Sequence, residues 1–472
     1  MRQVVEEFIN SKWDAECVPL LEDYIRIPCQ SPAYDKDWET NGLLDQAMTL
    51  LHEWVQKQDL PGMTSRVMHE PGRTPFMIIH VPPTNDTATN SILMYGHMDK
   101  QPPLLPWAEG LDPYTPVIRD GRLYGRAGAD DGYAVCAAIT CLQALKKAKV
   151  PYGKITIVIE ADEESGSANL PFWIDKVKPE LGSPDIVVCL DSGALNYDQM
   201  WLTNSLRGAV NGELHVEILN EGLHSGIFGN IVPCSFRILR QLISRLECEK
   251  TGDVLVPECH AEIPATAVKQ FQALDEISDD LYTQDVPLKE GVRALPGKSS
   301  ELGLANAWKP CLCVTGSGGM PCLATAGNVL RKGTSVMLSM RLPPPVDAAT
   351  AMAAIQRAVE SDPPYGAKVT FKGGLCAGGW SAPEMVPWLA EAVDTASQSF
   401  FGRPAGNQGL GGTIPFMGML GKMFPKAQFV ITGVLGPKSN AHGPNEFMDI
   451  AFTKKITCCV ASIVAAHCRE CC

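Results

Sequence analysis

Five short polar clusters in this chain carry side chains of the kinds that hold divalent metal ions or move protons. His97 and Asp99 stand in Gly96-His97-Met98-Asp99, directly after the apolar run Ser91-Ile92-Leu93-Met94-Tyr95. Asp130 and Asp131 lie between glycines in Gly128-Ala129-Asp130-Asp131-Gly132. Glu163 and Glu164 fall in DEESGS, Asp191 in LDSG, and His442 in AHGPNE. Three carboxylates and two imidazoles, with a further Glu, suit two hard-to-borderline divalent ions such as Zn²⁺. Two such ions about 3.5 to 4 Å apart need a shared ligand, and one carboxylate can bridge them.

Each cluster alone has a plainer reading: a turn histidine, an Asp pair that caps a helix, a solvated Glu pair. Their positions argue against all of these holding at once. Pro75 to Val81, Ser91 to Tyr95, Lys154 to Ala161, Asp185 to Leu190 and Gln428 to Val434 are short apolar runs of the kind buried on both faces of a sheet. Helical patterns occupy residues 13 to 27, 42 to 57, 133 to 146 and 388 to 398. Strand and helix alternate, which predicts an α/β unit with a mainly parallel sheet. In such sheets ligands bind at the carboxyl ends of the strands, and four of the clusters follow such ends: His97/Asp99, Glu163/Glu164, Asp191 and His442.

The pattern changes near residue 205. Gly212 to Leu219 and Ser335 to Leu342 read as half-exposed strands, Ala367 to Phe371 as another, and residues 231 to 246 and 347 to 360 as helices. This predicts a smaller α+β insert at 205–381 that interrupts a catalytic unit made of 1–204 and 382–472. Thr251 to Pro310, acidic and Pro-containing, reads as an elaboration of the insert.

At 472 residues the chain is too long for one ordinary core. A net charge of −13 and no basic stripe exclude nucleic acid as a general partner. No uninterrupted apolar run of about 18 residues predicts a membrane span, and MRQVVEEFINSKWDAE has acids where an export signal is apolar. The 17 cysteines are scattered and read as reduced thiols of a cytoplasmic protein. The tail His467-Cys468-Arg469-Glu470-Cys471-Cys472 reads as a frayed end without function.

The motifs GHMDKQPP (96–103), YGRAGADDG (124–132), DEESGS (162–167), LDSG (190–193) and AHGPNE (441–446) resemble, in order, those of the di-zinc metallopeptidases that include carnosinases, Xaa-His dipeptidases, aminoacylases and desuccinylases. The extension Lys100-Gln101-Pro102-Pro103 and the segment 251–310 look most like the carnosinase-like dipeptidase branch. The resemblance implies that His97 and Asp191 hold one zinc, Glu164 and His442 the other, and that Asp130 bridges both. It implies that Asp99 orients His97, that Glu163 is the general base, and that the peptide bond after Asp130 is cis. It also implies a lid domain that dimerises, from which His224, in Gly222-Leu223-His224-Ser225-Gly226, reaches the partner's site and stabilises the oxyanion. The family's dipeptidases often have Lys-Gly after the Asp pair, where this chain has Gly132-Tyr133.

For a dipeptide's carboxylate, Arg341 offers a bidentate fork and Gly411-Gly412-Thr413 offers backbone N–H groups. Asn328 is a candidate for the scissile carbonyl. The expectation is a dipeptidase with two divalent ions, Zn or else Mn or Co, acting as a homodimer on small peptides. An N-acyl amino acid deacylase or a carboxypeptidase on the same metal centre, and a non-catalytic binding member, are the alternatives.

Overall fold

The computed structural model describes residues 2–84, 90–412 and 415–470. Its central sheet has six strands in the order Thr64–Met68, Phe76–Val81, Lys154–Glu160, Ser91–His97, Ile186–Cys189 and Gln428–Ile431. Phe76–Val81 runs antiparallel to both neighbours, and the last four strands are mutually parallel. The five strands from Phe76–Val81 to Gln428–Ile431 are covered on both faces, which is why they are mostly apolar, whereas the edge strand Thr64–Met68 is half-exposed. Ile92, Met94, Ile155 and Ile157 face one layer, with the helices Arg2–Lys12, Leu43–Gln56, Ala134–Lys147, Pro387–Phe401 and Ile450–Glu470. Leu93, Tyr95, Val158 and Val187 face the other, where the helices Leu170–Leu181 and Pro415–Met423 pack. The α/β architecture expected from the alternating pattern is the one observed, with one antiparallel strand inside it.

A second sheet is antiparallel, in the order Cys311–Gly318, Gly333–Leu342, Gly208–Glu217, Lys368–Ala377. The helices Ser235–Ile243 and Ala348–Glu360 cover one face of it through Ile238, Leu239, Leu242, Ile355 and Val359. Asp347 caps the second helix, its side chain accepting from the N–H of Thr350 at 2.8 Å. The segment 251–310 does not belong wholly to this layer. Val254, Val256 and Cys259 pack with it, whereas Phe271, Leu274, Leu281 and Ala307 pack into the core of the central sheet.

Two small sheets bring distant parts of the chain together. Gly406–Leu410 runs parallel to Trp201–Leu206, with Leu410 opposite Leu206. Phe447–Asp449 pairs antiparallel with Arg122–Tyr124, with Phe447 opposite Tyr124. The C-terminal segment is not a frayed end: Ile450–Glu470 is one helix, and His467 and Cys468 are buried. That helix is long and apolar enough to cross a membrane by length and composition, but 67% of its most apolar window is buried inside the protein. It is a core helix.

Candidate metal centre and active site

Four parallel strands end on one edge of the central sheet, and the polar clusters follow those ends. His97 closes the strand Ser91–His97. Its neighbour Gly96 has no room for a side chain, since a Cβ there would lie 2.5 Å from the Ala134 Cβ and 2.8 Å from Asp131 Oδ2. This close approach brings the Asp130-Asp131 turn against the strand end. The Asp130–Asp131 peptide bond is cis. Gly132 is required for the same reason: a Cβ would run into the Tyr24 ring. Gly132-Tyr133, where the family often has Lys-Gly, therefore fits this fold. The Tyr133 hydroxyl donates to the carbonyl of Leu190, which ties this turn to the Asp191 strand.

The imidazole of His97 is buried, with Nδ1 3.4 Å from Asp99 Oδ1 and Nε2 3.4 Å from Asp130 Oδ1 and 3.9 Å from Asp191 Oδ2. His442 Nε2 lies 3.2 Å from Asp130 Oδ2 and 3.2 Å from Glu164 Oε2. Two groups of three ligands thus form, His97/Asp130/Asp191 and Asp130/Glu164/His442, sharing Asp130. Two donors each about 2.1 Å from a tetrahedral ion are about 3.4 Å apart, so these spacings match divalent ions held by N and O ligands. Neither ring nitrogen of His97 finds a hydrogen-bond partner although both are buried. An orphaned buried imidazole nitrogen aimed at two carboxylates is what a metal ligand looks like without its ion. The donor set fits.

The charges agree. Burial pushes Asp191 up to about 7, helped by the charge of Asp130 and opposed by His97. Glu163 is raised well above the carboxylate range by burial and then by Asp191, and Glu164 is raised by burial and then by Asp130. Asp130 goes the other way: burial would raise it, but the two histidines hold it below its ordinary value. Burial would lower His442, yet Asp130 and Glu164 carry it up to about 11. The cluster has more buried negative charge than its histidines can balance.

Asp99 does more than face His97. Its two oxygens accept the backbone N–H groups of Glu163 and Glu164 at 3.1 and 3.0 Å. Gln101 donates to Glu164 Oε2 at 2.7 Å. Arg126 and Glu446, quoted in the motifs without a role, prove structural to the site. Arg126 Nη1 donates to Glu446 Oε2 at 2.6 Å, and its Nη2 donates to the carbonyls of Gly443 (2.8 Å) and His442 (3.2 Å). Glu446 Oε1 accepts from Ala127 N at 2.9 Å. The Phe447/Tyr124 pairing sets this up by placing residue 446 beside residues 125 and 126. His442 has φ +63, left-handed backbone that costs about 1 to 2 kcal/mol for such a residue, and the Arg126 bonds to the His442 and Gly443 carbonyls hold it.

A cleft of about 690 Å³ opens on the cluster, lined by Asp130, Glu163, Glu164, Asp191 and His442 and also by Arg341 and Gly412. Gly411 lies just behind this wall, where its carbonyl accepts from Arg207 Nε at 3.1 Å. Thr413 falls outside the described residues. His224 and Asn328 do not line this cleft. They lie together on an exposed two-stranded ribbon, Leu223–His224 with Val329–Leu330, where the Asn328 carbonyl accepts from Ser225 N and His224 Nδ1 accepts from Gly226 N at 3.1 Å.

A model of peptidase family M20/M25/M40 matches residues 93–466. The chain is 26% identical over 368 residues to a cysteinylglycine-S-conjugate dipeptidase of Corynebacterium striatum, a match that covers 78% of each protein. Its structure is similar to that of the dipeptidase Dug1p from Saccharomyces cerevisiae, with a TM-score of 0.80, 20% identity and 99% of each chain covered. Human carnosine dipeptidase 1 gives the same TM-score, identity and coverage. At that identity the structural likeness shows the fold.

Proposed function

The chain belongs to peptidase family M20/M25/M40 and is a metallopeptidase, and on that premise we propose that it hydrolyses the amide bond of dipeptides or closely similar amides. The observation that carries the reading is Asp130, whose two oxygens face two different histidines, each with a further carboxylate beside it. In this reading His97 and Asp191 hold one divalent ion, Glu164 and His442 the second, and Asp130 both. Zinc is the ion of choice, with manganese or cobalt able to replace it. When bound, such a pair lowers the pKa of an attacking water and polarises the scissile carbonyl.

The chain's own residues supply the rest. Asp99 faces the ring of His97 and holds the backbone of the two glutamates. Glu163 lines the cleft and stands in neither ligand group. Its position suits a general base that takes the water's proton and returns it to the leaving amine. Arg341 and the backbone N–H groups of Gly411 and Gly412 receive the substrate's carboxylate, a role the sequence also gives to Thr413. His224 and Asn328 act on the reacting carbonyl from the partner subunit of a homodimer.

Residues 205–381 form the lid and dimerisation domain, except for the part of 251–310 whose Phe271, Leu274, Leu281 and Ala307 pack into the central core, and 1–204 with 382–472 form the catalytic domain. A separate apolar cluster in the second sheet supports that division. Exposed Ile227 and Ile231, beside His224, and Leu323 support an interface there. Free thiols at the described cysteines and the acidic balance support a cytoplasmic enzyme. The test is a dipeptide screen on purified protein with and without zinc. Hydrolysis should disappear with a chelator and return with about two equivalents of zinc. Two bound equivalents with no hydrolysis of any amide would refute the reading.

A further inference from the structure

The two metal positions are not braced alike. Of the carboxylates in the ligand groups, Asp130, Glu164 and Asp191, Glu164 alone accepts from a side-chain amide among the described residues: Gln101 Nε2 donates to its Oε2 at 2.7 Å. The same oxygen faces His442 Nε2 at 3.2 Å. A carboxylate oxygen has two lone pairs, so the amide takes one and leaves the other for the ion that His442 would share. The Glu164 side chain is only 4% exposed, so protein donors rather than water set its orientation.

The amide is itself held. The other partner of its nitrogen among the described residues, Tyr34 Oη, is 3.5 Å away, which makes Glu164 the principal acceptor. Lys100 pairs with the segment 29–31: its N–H donates to the Cys29 carbonyl at 3.1 Å, and its carbonyl accepts from Ser31 N at 2.9 Å. Pro102 then disfavours helical backbone at Gln101. The same segment reaches the turn that carries Glu164, since Ser31 Oγ lies 2.5 Å from Ser165 Oγ and Ala33 N donates to Ser165 Oγ at 2.8 Å. Residues 29–33 therefore splint the amide against the carboxylate. Gln101 is uncharged, so it orients Glu164 without competing for the ion as a further carboxylate would. We propose that Gln101 is a positioning residue of the second metal position: by holding Glu164 Oε2 it sets the orientation in which Glu164 and His442 share an ion, and it has no part in the His97/Asp191 position. The proposal deepens the two-metal reading above and rests on it.

The test titrates metal-free protein with zinc in competition with a chromophoric chelator, which gives a dissociation constant for each equivalent. Gln101→Met keeps the length of the side chain and loses the donor. Gln101→Asn keeps the donor on a side chain too short to reach Glu164. Each should weaken one equivalent by roughly 10- to 100-fold and leave the other as in wild type. His442→Ala removes the second position, and adding Gln101→Met in that background should leave the remaining equivalent unchanged; a weakening there overturns the proposal. So do two unaltered constants in folded Gln101→Met, or two constants weakened alike, which is what a general loss of structure gives. If Gln101→Met does not fold, Gln101→Asn decides by the same criterion. Wild type that binds fewer than two equivalents overturns the two-metal reading itself, a result distinct from an unaltered pair of constants.

Discussion

Arg126 and Glu446 form a fully buried ion pair, 2.6 Å between Nη1 and Oε2, across 320 residues of sequence. The pair ties the loop that carries His442 to the segment that runs into Asp130. Burial pushes Glu446 up to about 7 even against the attraction of Arg126. Removing one partner of such a pair strands the other. Glu446→Gln should therefore destabilise the fold by about 3 kcal/mol in denaturant unfolding. It should also lower bound zinc from about two equivalents towards one, as measured by atomic absorption. Full stoichiometry in the variant would show that the pair serves stability alone.

Glu163→Gln should lower kcat by roughly 10² to 10⁴ with both metal equivalents retained. The side chain lines the cleft but stands in neither ligand triad. Loss of metal in this variant would make Glu163 a ligand instead.

His224→Ala should reduce the rate by roughly 10² to 10³ without changing zinc content, although His224 does not line the cleft. Mixing this variant with Glu163→Gln under subunit exchange should restore part of the activity. Each mixed dimer then has one site with both groups. No recovery, with exchange demonstrated by mass, would remove the partner's histidine from the mechanism.

Arg341→Ala should raise KM roughly 10- to 100-fold with kcat little altered, because a charge-assisted contact to the substrate carboxylate is lost. An unchanged KM would assign Arg341 to structure.

Lys100 gives a stability profile with a definite sign. Its ammonium is buried and donates to the carbonyls of Tyr24, Ile25 and Ile27 at 2.8, 3.2 and 2.8 Å. Burial lowers its pKa from 10.5 to about 8. Between those values the unfolded chain holds the proton and the folded chain does not, so this group makes unfolding free energy rise with pH over that window. Relative to Lys100→Met, wild type should gain about 3 kcal/mol between pH 8 and 10.5, read from urea unfolding of both proteins. Parallel profiles would show that the buried amine keeps its proton.

The two groups of candidate ligands that meet in the structure, His97/Asp130/Asp191 and Asp130/Glu164/His442, stood out in the sequence because their types are specific and because most of them follow apolar runs whose ends a parallel sheet brings together. The antiparallel strand Phe76–Val81 could not be told from its neighbours, since burial on both faces removes the alternation that marks direction. Gly406–Leu410, GNQGL, has two glycines and two amides, and only its pairing with Trp201–Leu206 makes it a strand. The reading of the last residues as a frayed end failed because the buried side of Ile450–Glu470 is set by the helices Pro387–Phe401, Ala134–Lys147 and Arg2–Lys12, distant in sequence from the tail. For the same reason nothing local announces Arg126 and Glu446. Each is an ordinary charged residue until the Phe447/Tyr124 register brings the two together.

The clasp between residues 126 and 446 also sets a timetable. A ribosome adding roughly 5 to 20 residues per second needs roughly 15 to 60 s to travel from one to the other. For most of that interval the nascent first half carries His97, Asp130, Glu164 and Asp191 without His442, the third member of the second group. The binding pocket closes only when synthesis is nearly finished, so a message truncated shortly before codon 442 would yield a long, well-started polypeptide unable to retain its second ion.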